Sequence, residues 1–281
     1  MDRTEYREAS RDNWNTMAAV WDEQRDRMSG PVAPVRDWLI DHLAAREGET
    51  ILDIACGTGE MTELASARVG DEGRVICTDF AEQMLGAARR RGEAAGLTNV
   101  EYSEMDAEDM HLDDASVDGA ICRFGYMLMS DRDAALRETR RVLREHGRLV
   151  FAVWAEPARN PWVVIPAGVV MERGLLPPPD PDGPGMFALA GRDKLEAALA
   201  QASLAAVEIA DVEIHHQTPS REALWDRITT TMGFIATAIA DEPEEERAAI
   251  RAAIEERAEP FREGDGYLLP GVAHTVLARP A

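Results

Sequence analysis

The chain has 281 residues, of which 45% are hydrophobic and 29% charged, as expected for a globular protein. Its net charge of −22 disfavours binding to the phosphate backbone of a nucleic acid. Because the sequence lacks a run of about 18 apolar residues, we expect no membrane span. The charged start, MDRTEYREAS, and three cysteines without metal-ligand spacing are typical of a cytoplasmic protein with buried, reduced thiols and no metal site.

The first 30 residues carry large apolar side chains at helical spacing: Trp14, Met17 and Trp21. This spacing predicts an amphipathic helix that lies on the rest of the protein. We therefore assign residues 1–34 to an N-terminal helical cap.

Strands and helices alternate between residues 50 and 154. The predicted strands are TILDIA, RVICTD, NVEYSEMD, VDGAICRF and RLVFAVW, and the intervening helices include EMTELASARV, AEQMLGAARRRGEAAG and DRDAALRETRRVLREH. Parallel neighbours need helical crossovers, so this order predicts a doubly wound, mostly parallel α/β sheet.

Beyond Trp154 the pattern is less regular. It contains a Pro/Gly-rich loop (174–185), the helix RDKLEAALAQA, the alternating strand AAVEIADVEIHH, helices over 220–262 and a final strand YLLPGVAHTVLARP. Seven strands result. We assign residues 35–157 to a ligand-binding core, 158–190 and 220–262 to insertions, and 191–219 and 263–281 to the remaining helix and strands of the core sheet.

The segment LDIACGTGE, residues 52–60, predicts the ligand site, because doubly wound sheets bind ligands at the loop after the first strand. A phosphate-binding G-x-x-x-x-G-K-[ST] motif is absent, and Gly57-Thr58-Gly59 lacks the third glycine of a dinucleotide fingerprint. Asp79 ends the second strand, where a carboxylate accepts hydrogen bonds from ribose hydroxyls. These features indicate a ligand with a ribose and without a phosphate.

The ordered motifs ILDIACGTGE, VICTDFAEQML, MDAEDM, VDGAICRFGYMLM and ALRETRRVLREHGRLVFAVW resemble the class I S-adenosylmethionine-dependent methyltransferases. The branch of menaquinone and ubiquinone biosynthesis C-methyltransferases and natural-product methyltransferases is the most similar one, over about residues 35–155. The resemblance implies a Rossmann-like methyltransferase fold with S-adenosylmethionine as cofactor. The implied cofactor residues are Asp53, Ala55, Gly57, Thr58, Gly59, Asp79, Phe80, Met84, Asp106, Ala107 and Arg123.

Within that set, Asp79 would hold the ribose hydroxyls, Met84 would pack near the adenine and Asp106 would meet its exocyclic amine. Ala55 departs from the family, since many members have a glycine there. Structural alternatives stay open: a plain turn for the glycines, a helix N-cap for Asp79 and a loop acid for Asp106.

A sulfonium methyl donor is already activated, so the protein must mainly align the acceptor and exclude water. A base is needed only where the acceptor loses a proton. His215 and His216, at the end of a strand, and Arg123 are the catalytic candidates. The acceptor candidates are Trp14, Trp21, Tyr126, Trp162 and Met186, with core packing as the alternative for the two N-terminal tryptophans.

We therefore expect methyl transfer to a small, partly apolar acceptor beneath a mobile lid made by the insertions. Partners other than this small molecule are not predicted, and the sequence leaves a homo-oligomer open. The alternatives are a non-catalytic cofactor-binding module of the same fold and a nicotinamide-dependent oxidoreductase. The segment RFGY also lacks the N-P-P-Y motif of amino-directed nucleic-acid methyltransferases.

Overall fold

A computed structural model describes residues 2–180 and 183–281. The eight strands are β1 (Thr50–Ile54), β2 (Arg74–Asp79), β3 (Val100–Glu104), β4 (Val117–Arg123), β5 (Leu143–Trp154), β6 (Leu204–Thr218), β7 (Arg262–Glu263) and β8 (Gly266–Pro280). The helices are α1 (Arg3–Glu23), α2 (Arg25–Ser29), α3 (Ala33–Leu43), α4 (Glu60–Val69), α5 (Glu82–Ala94), α6 (Arg132–Val142), α7 (Pro161–Glu172), α8 (Arg192–Gln201), α9 (Arg221–Thr231), α10 (Gly233–Ile239) and α11 (Glu244–Ala258).

All strands belong to one sheet, with the order β3-β2-β1-β4-β5-β8-β6 and the two-residue β7 paired to β8. Strands β1 to β5 pair in parallel. Strand β8 is antiparallel to both β5 and β6, so β6 runs in the same direction as β5. The carboxyl ends of β1, β2, β4, β5 and β6 therefore lie along one edge of the sheet. The predicted doubly wound, mostly parallel sheet is confirmed.

Helix α6 ends earlier than the sequence pattern predicts. The amphipathic pattern extends to His146, but Leu143 is extended, is buried and pairs with Val117 of β4. A bulge follows before Arg148 pairs with Gly119. Pairing with the sheet thus overrides the helix propensity of this segment, and the prediction that His146 lies on an outer helix is wrong.

The N-terminal helix is confirmed as α1, whose Trp14, Met17 and Trp21 pack against the buried Met84 of α5. The irregular region after β5 contains α7, which the sequence pattern did not predict. Two residues of the predicted Pro/Gly-rich loop, 181 and 182, lie outside the described residues.

The two largest hydrophobic clusters stabilise different parts of the molecule. The larger surrounds the sheet and includes β1, β4 and β5 with their helices. The second joins α7, α9, α10 and α11 to Tyr267 and Leu269 of β8. The insertions therefore have an apolar cluster of their own. The three cysteines are buried and free, as predicted.

Residues 2–180 and 183–281 contain neither a candidate membrane span nor a candidate metal cluster. No helix there is both long and apolar enough to cross a membrane. No cluster of at least three His, Cys, Asp or Glu side chains there has the geometry to hold a metal ion.

Candidate active site

A cavity of about 850 Å³ opens at the carboxyl edge of the sheet. Its floor comes from the loops after β1, β2, β3 and β4, and its walls come from α1, α9, α10 and the segments that follow β5 and β6. Ligand pockets commonly span about 300–1,000 Å³, so this volume is large enough for more than one small molecule.

The glycine loop after β1 has three residues with left-handed backbone conformations: Ala55 (φ 52°), Gly57 (φ 56°) and Gly59 (φ 84°). Glycine adopts this conformation readily, whereas alanine does so at a cost, so Ala55 occupies a position where glycine would be less strained. A Cβ atom on Gly57 would meet nothing within 4 Å, so its backbone faces open space in the cavity.

Gly59 lacks a side chain at a point where α5 packs closely against the loop. A Cβ atom there would lie 2.9 Å from the Cβ of Ala88 on α5. Gly59 is the N-cap of α4 and does not line the cavity. The missing side chain of Gly59 thus lets α5 approach the loop, and its contact with the cofactor stays a prediction.

Asp79 organises this loop. Its Oδ2 accepts a hydrogen bond from the Gly57 N–H and its Oδ1 accepts one from the Ala81 N–H, both at 2.9 Å. The residue is only 6% exposed, and burial raises its pKa to about 6 although the backbone donors lower it. A carboxylate has about four acceptor positions, and the backbone N–H groups of Gly57, Ala81 and Phe80 do not fill all of them, so acceptor capacity remains for a hydroxyl donor from the cavity.

Asp53 also lines the cavity, at the end of β1. Its Oδ2 accepts a hydrogen bond of 2.6 Å from the Thr62 hydroxyl. Burial raises the pKa of Asp53 to about 7, against the opposing effects of Thr62 and Arg123. Burial thus favours the protonated form of Asp53 more than in an exposed aspartate.

Helix α1 covers the loop after β3. Arg7 contacts Glu108 at 2.5 Å and Asp106 at 3.4 Å, and the Tyr6 hydroxyl donates to the carbonyl of Leu128. Asp106 also accepts a hydrogen bond from the Glu108 N–H. Phe80, Met84, Asp106 and Ala107, four of the predicted cofactor residues, line this part of the cavity.

Arg123 lines the cavity but its guanidinium is engaged. It contacts Glu60 at 2.6 Å, and the same carboxylate accepts hydrogen bonds from Ser29 and Arg36. Burial alone would raise the pKa of Glu60, yet Arg123, Ser29 and Arg36 together hold it below its ordinary value. The ion pair between Arg123 and Glu60 therefore links β4 to α4. A contact between Arg123 and the acceptor stays a prediction.

The two histidines at the end of β6 face opposite sides. His215 is exposed and lies outside the cavity lining, so its prediction as a catalytic residue is corrected. His216 lines the cavity, is 3% exposed, and accepts a hydrogen bond at Nδ1 from Arg227 of α9. Burial, with Arg227 and His215 nearby, lowers its pKa to about 2. A base of this pKa with its acceptor nitrogen occupied is a poor acceptor of protons.

Tyr126 is also placed differently from the prediction. It is fully buried, its hydroxyl bonds the Thr139 hydroxyl at 2.7 Å, and its ring contacts Phe151 edge-on. It does not line the cavity. Tyr126 therefore packs in the core and lies outside the predicted acceptor site.

Aromatic rings line the side of the cavity between β4 and β6. Phe124 stacks on Trp154 (centroids 4.5 Å), Trp154 contacts Trp162 (4.9 Å), and Trp162 stacks on His216 (4.2 Å). Trp162 and Met186 were predicted, as were Trp14 and Trp21 on α1, and all four line the cavity.

Sequence reasoning missed Phe124, Trp154 and Arg227. Phe124 and Trp154 end predicted strands, a position that could have revealed them. Arg227 has no such signal, because it lies in a helix rich in charged residues.

Comparisons with known proteins agree with this arrangement. A family model described as a methyltransferase domain matches residues 51–147. The ubiquinone/menaquinone biosynthesis C-methyltransferase UbiE of Idiomarina loihiensis is 36% identical over 148 residues, which cover 52% of this chain and 59% of that protein. Residues 51–147 therefore match a methyltransferase domain. This confirms the family that the sequence motifs resemble.

Two solved structures share the fold of the methyltransferase domain and its additions. The YcgJ protein of Bacillus subtilis has a TM-score of 0.58 and 18% identity, covering 87% of this chain and 97% of that one. The geranyl diphosphate C-methyltransferase of Streptomyces coelicolor A3(2), solved with S-adenosyl-L-homocysteine, has a TM-score of 0.53 and 17% identity, covering 89% and 79%. The chain spans about three fifths of the length of the UbiE relative.

Proposed function

We propose that this protein transfers the methyl group of S-adenosylmethionine to a small, partly apolar acceptor held in the 850 Å³ cavity. The observation that carries the proposal is Asp79, whose carboxylate bonds the Gly57 and Ala81 N–H groups and keeps acceptor positions free toward the cavity. The family match of residues 51–147 supports the same cofactor.

The residues present fit this cofactor. The acceptor capacity that the backbone donors leave on Asp79 suits a ribose hydroxyl. The open space at Gly57 lets a ligand approach the backbone closely, and Asp106 can accept from an exocyclic amine while Arg7 neutralises part of its charge. When bound, the cofactor supplies an activated methyl group on a sulfonium.

The chain's own contribution is then to position the acceptor and exclude water. Apolar side chains dominate the wall opposite the glycine loop, including Trp154, Trp162, Met186, Met232 and Phe234. Excluding water strengthens the electrostatic interactions within the site, and alignment of the acceptor lowers the barrier without a chemical group from the protein. Since His216 is a poor base, we propose that the acceptor needs no proton transfer to a histidine.

Titration calorimetry with S-adenosylmethionine and S-adenosyl-L-homocysteine tests the proposal, followed by mass spectrometry of apolar acceptors incubated with labelled cofactor. We expect binding at 1:1. Asp79→Asn should weaken it by roughly 10- to 100-fold, the equivalent of about 1.5–3 kcal/mol for charge-assisted hydrogen bonds. Absence of binding by both compounds, alongside tight NADH binding, would favour the oxidoreductase alternative. Tight binding with no methylated product from any acceptor would favour a non-catalytic module.

We also propose that the insertions close over the acceptor. Trp162 and Met186 from 158–190, and Met232 and Phe234 from 220–262, line the cavity. Met171, Phe187 and Trp225 lie outside the lining, so part of the apolar content packs elsewhere. Hydrogen exchange over 160–180 and 220–262, with and without S-adenosyl-L-homocysteine, tests the closure. Equal, strong protection in both states would show that these segments do not move.

A further inference from the structure

Arg227 is unlike the other arginines of the cavity. The lining contains Arg7, Arg25, Arg27, Arg123 and Arg227. The first four each contact a carboxylate within 4.0 Å: Glu108, Glu63, Asp226 and Glu60, respectively. Among the described residues, no carboxylate lies within that distance of Arg227.

The surroundings of Arg227 make its positive charge unfavourable without an anion. It is partly buried, and the neighbouring Arg27 repels it. Burial and then Arg27 lower its pKa to about 10, although an arginine of this pKa is still charged at neutral pH. Its side-chain hydrogen-bond partner is the neutral His216, which accepts through Nδ1 and holds the guanidinium in place.

The ring row defined by Phe124, Trp154, Trp162 and His216 leads to this arginine. It begins beside Arg123, at the end of β4 next to the cofactor loops, and ends at His216, to which Arg227 is bonded. A flat apolar body can lie along such a row while an oxyanion at one end meets the guanidinium, whose planar fork matches a carboxylate or phosphate.

We propose that Arg227 is an anion-binding residue of the acceptor site, and that the acceptor is an apolar molecule with an oxyanion at the end remote from the methylated atom. This rests on the proposed function for the identity of the site. The proposal assigns a positioning task to His216, which fixes the guanidinium of Arg227 without contacting the acceptor's oxyanion.

The test uses a matched pair of probes, 2-naphthoate and its neutral amide, 2-naphthamide, titrated into the full chain at pH 7.5 with and without saturating S-adenosyl-L-homocysteine. We expect naphthoate to bind roughly tenfold or more tightly than the amide, on the scale of a charge-assisted hydrogen bond. Arg227→Gln should abolish that preference while it keeps amide binding, and Arg227→Lys should retain part of it.

Arg221→Gln is the matched control, since Arg221 lies on the same helix as Arg227 but outside the cavity lining, and its charge is paired with Glu255. It should keep the naphthoate preference within about threefold. The wild-type protein alone can overturn the proposal: equal binding of the two probes, or binding of neither, excludes an oxyanion site at Arg227. Retention of the full preference by Arg227→Gln would do the same. Titration with S-adenosyl-L-homocysteine measures cofactor binding separately. A failure of the proposed function can therefore be distinguished from a failure of the Arg227 proposal.

Discussion

Two glycines in one loop should respond differently to the same substitution: one should lose mainly cofactor affinity and the other mainly stability. Gly57 and Gly59 both have left-handed backbones (φ 56° and 84°). An alanine in that conformation costs about 1–2 kcal/mol, partly offset by about 0.4–1 kcal/mol from the stiffer unfolded chain. Gly57→Ala should therefore lower the free energy of unfolding by only about 1 kcal/mol. Its methyl group enters the open side of the cavity, so cofactor affinity should fall at least roughly tenfold.

Gly59→Ala carries the same backbone cost and adds a close contact, because its Cβ would lie 2.9 Å from the Cβ of Ala88. Overpacking of this kind costs typically about 1–3 kcal/mol. The free energy of unfolding should fall by about 2–4 kcal/mol in total, with a smaller loss of cofactor affinity in the folded protein than for Gly57→Ala.

Urea unfolding and titration with S-adenosyl-L-homocysteine measure the two effects on each variant. A double-mutant cycle supplies the control: adding Ala88→Gly to Gly59→Ala removes the contacting methyl group. The double variant should then be more stable than the sum of the single changes predicts, by about 1–2 kcal/mol. Strict additivity, or a Gly59→Ala protein as stable as Gly57→Ala, would refute the reasoning.

Three further predictions follow from the site and its surroundings. Asp53 has its pKa raised to about 7 from 3.8, so the native state binds the proton more tightly than the unfolded state does. The free energy of unfolding of the wild type minus that of Asp53→Asn should fall by about 1.4 kcal/mol per pH unit as the pH rises from about 4 to 7. A difference that does not change with pH would show that the pKa of Asp53 is the same in the folded and unfolded states. Tyr126→Phe removes the hydrogen bond to Thr139 and should lower the free energy of unfolding by about 0.5–1.5 kcal/mol, with methyl transfer unchanged. If turnover fell while stability stayed the same, the predicted contact of Tyr126 with the acceptor would be supported instead. Arg7→Gln removes the contact of α1 with Glu108, so hydrogen exchange in α1 should accelerate, whereas unchanged exchange would mean that apolar packing alone holds the helix.

The sequence by itself determined that strands β1 to β5 alternate with helices, and it determined the position of the glycine loop. Those features are local: the spacing of apolar residues distinguishes strand from helix, and a loop that must turn sharply beside a ligand needs small residues at fixed positions. Asp79 was predicted for the same reason, since the end of the second strand is fixed by the βαβ unit. Its bond to Gly57 follows from the strand order, which places the ends of β1 and β2 side by side.

The tertiary structure decided which side chains meet. Alternation along β6 shows that His215 and His216 face opposite sides, but only packing against Trp162 and Arg227 decides which one is buried. The sequence predicted that Tyr126 contacts the acceptor, but its hydroxyl forms a hydrogen bond with the Thr139 hydroxyl in the core.

Whether the charge of a cavity arginine is paired depends on residues that are distant from it in the sequence. Arg123 is neutralised by Glu60 and Arg27 by Asp226, whereas Arg227 bonds His216 and contacts no carboxylate within residues 2–180 and 183–281. Such partners are separated from each other by up to 199 residues, and no local pattern records them. Whether a charge is paired is a property of three-dimensional proximity, because Coulomb attraction and desolvation act over a few ångströms of space and are indifferent to distance along the chain.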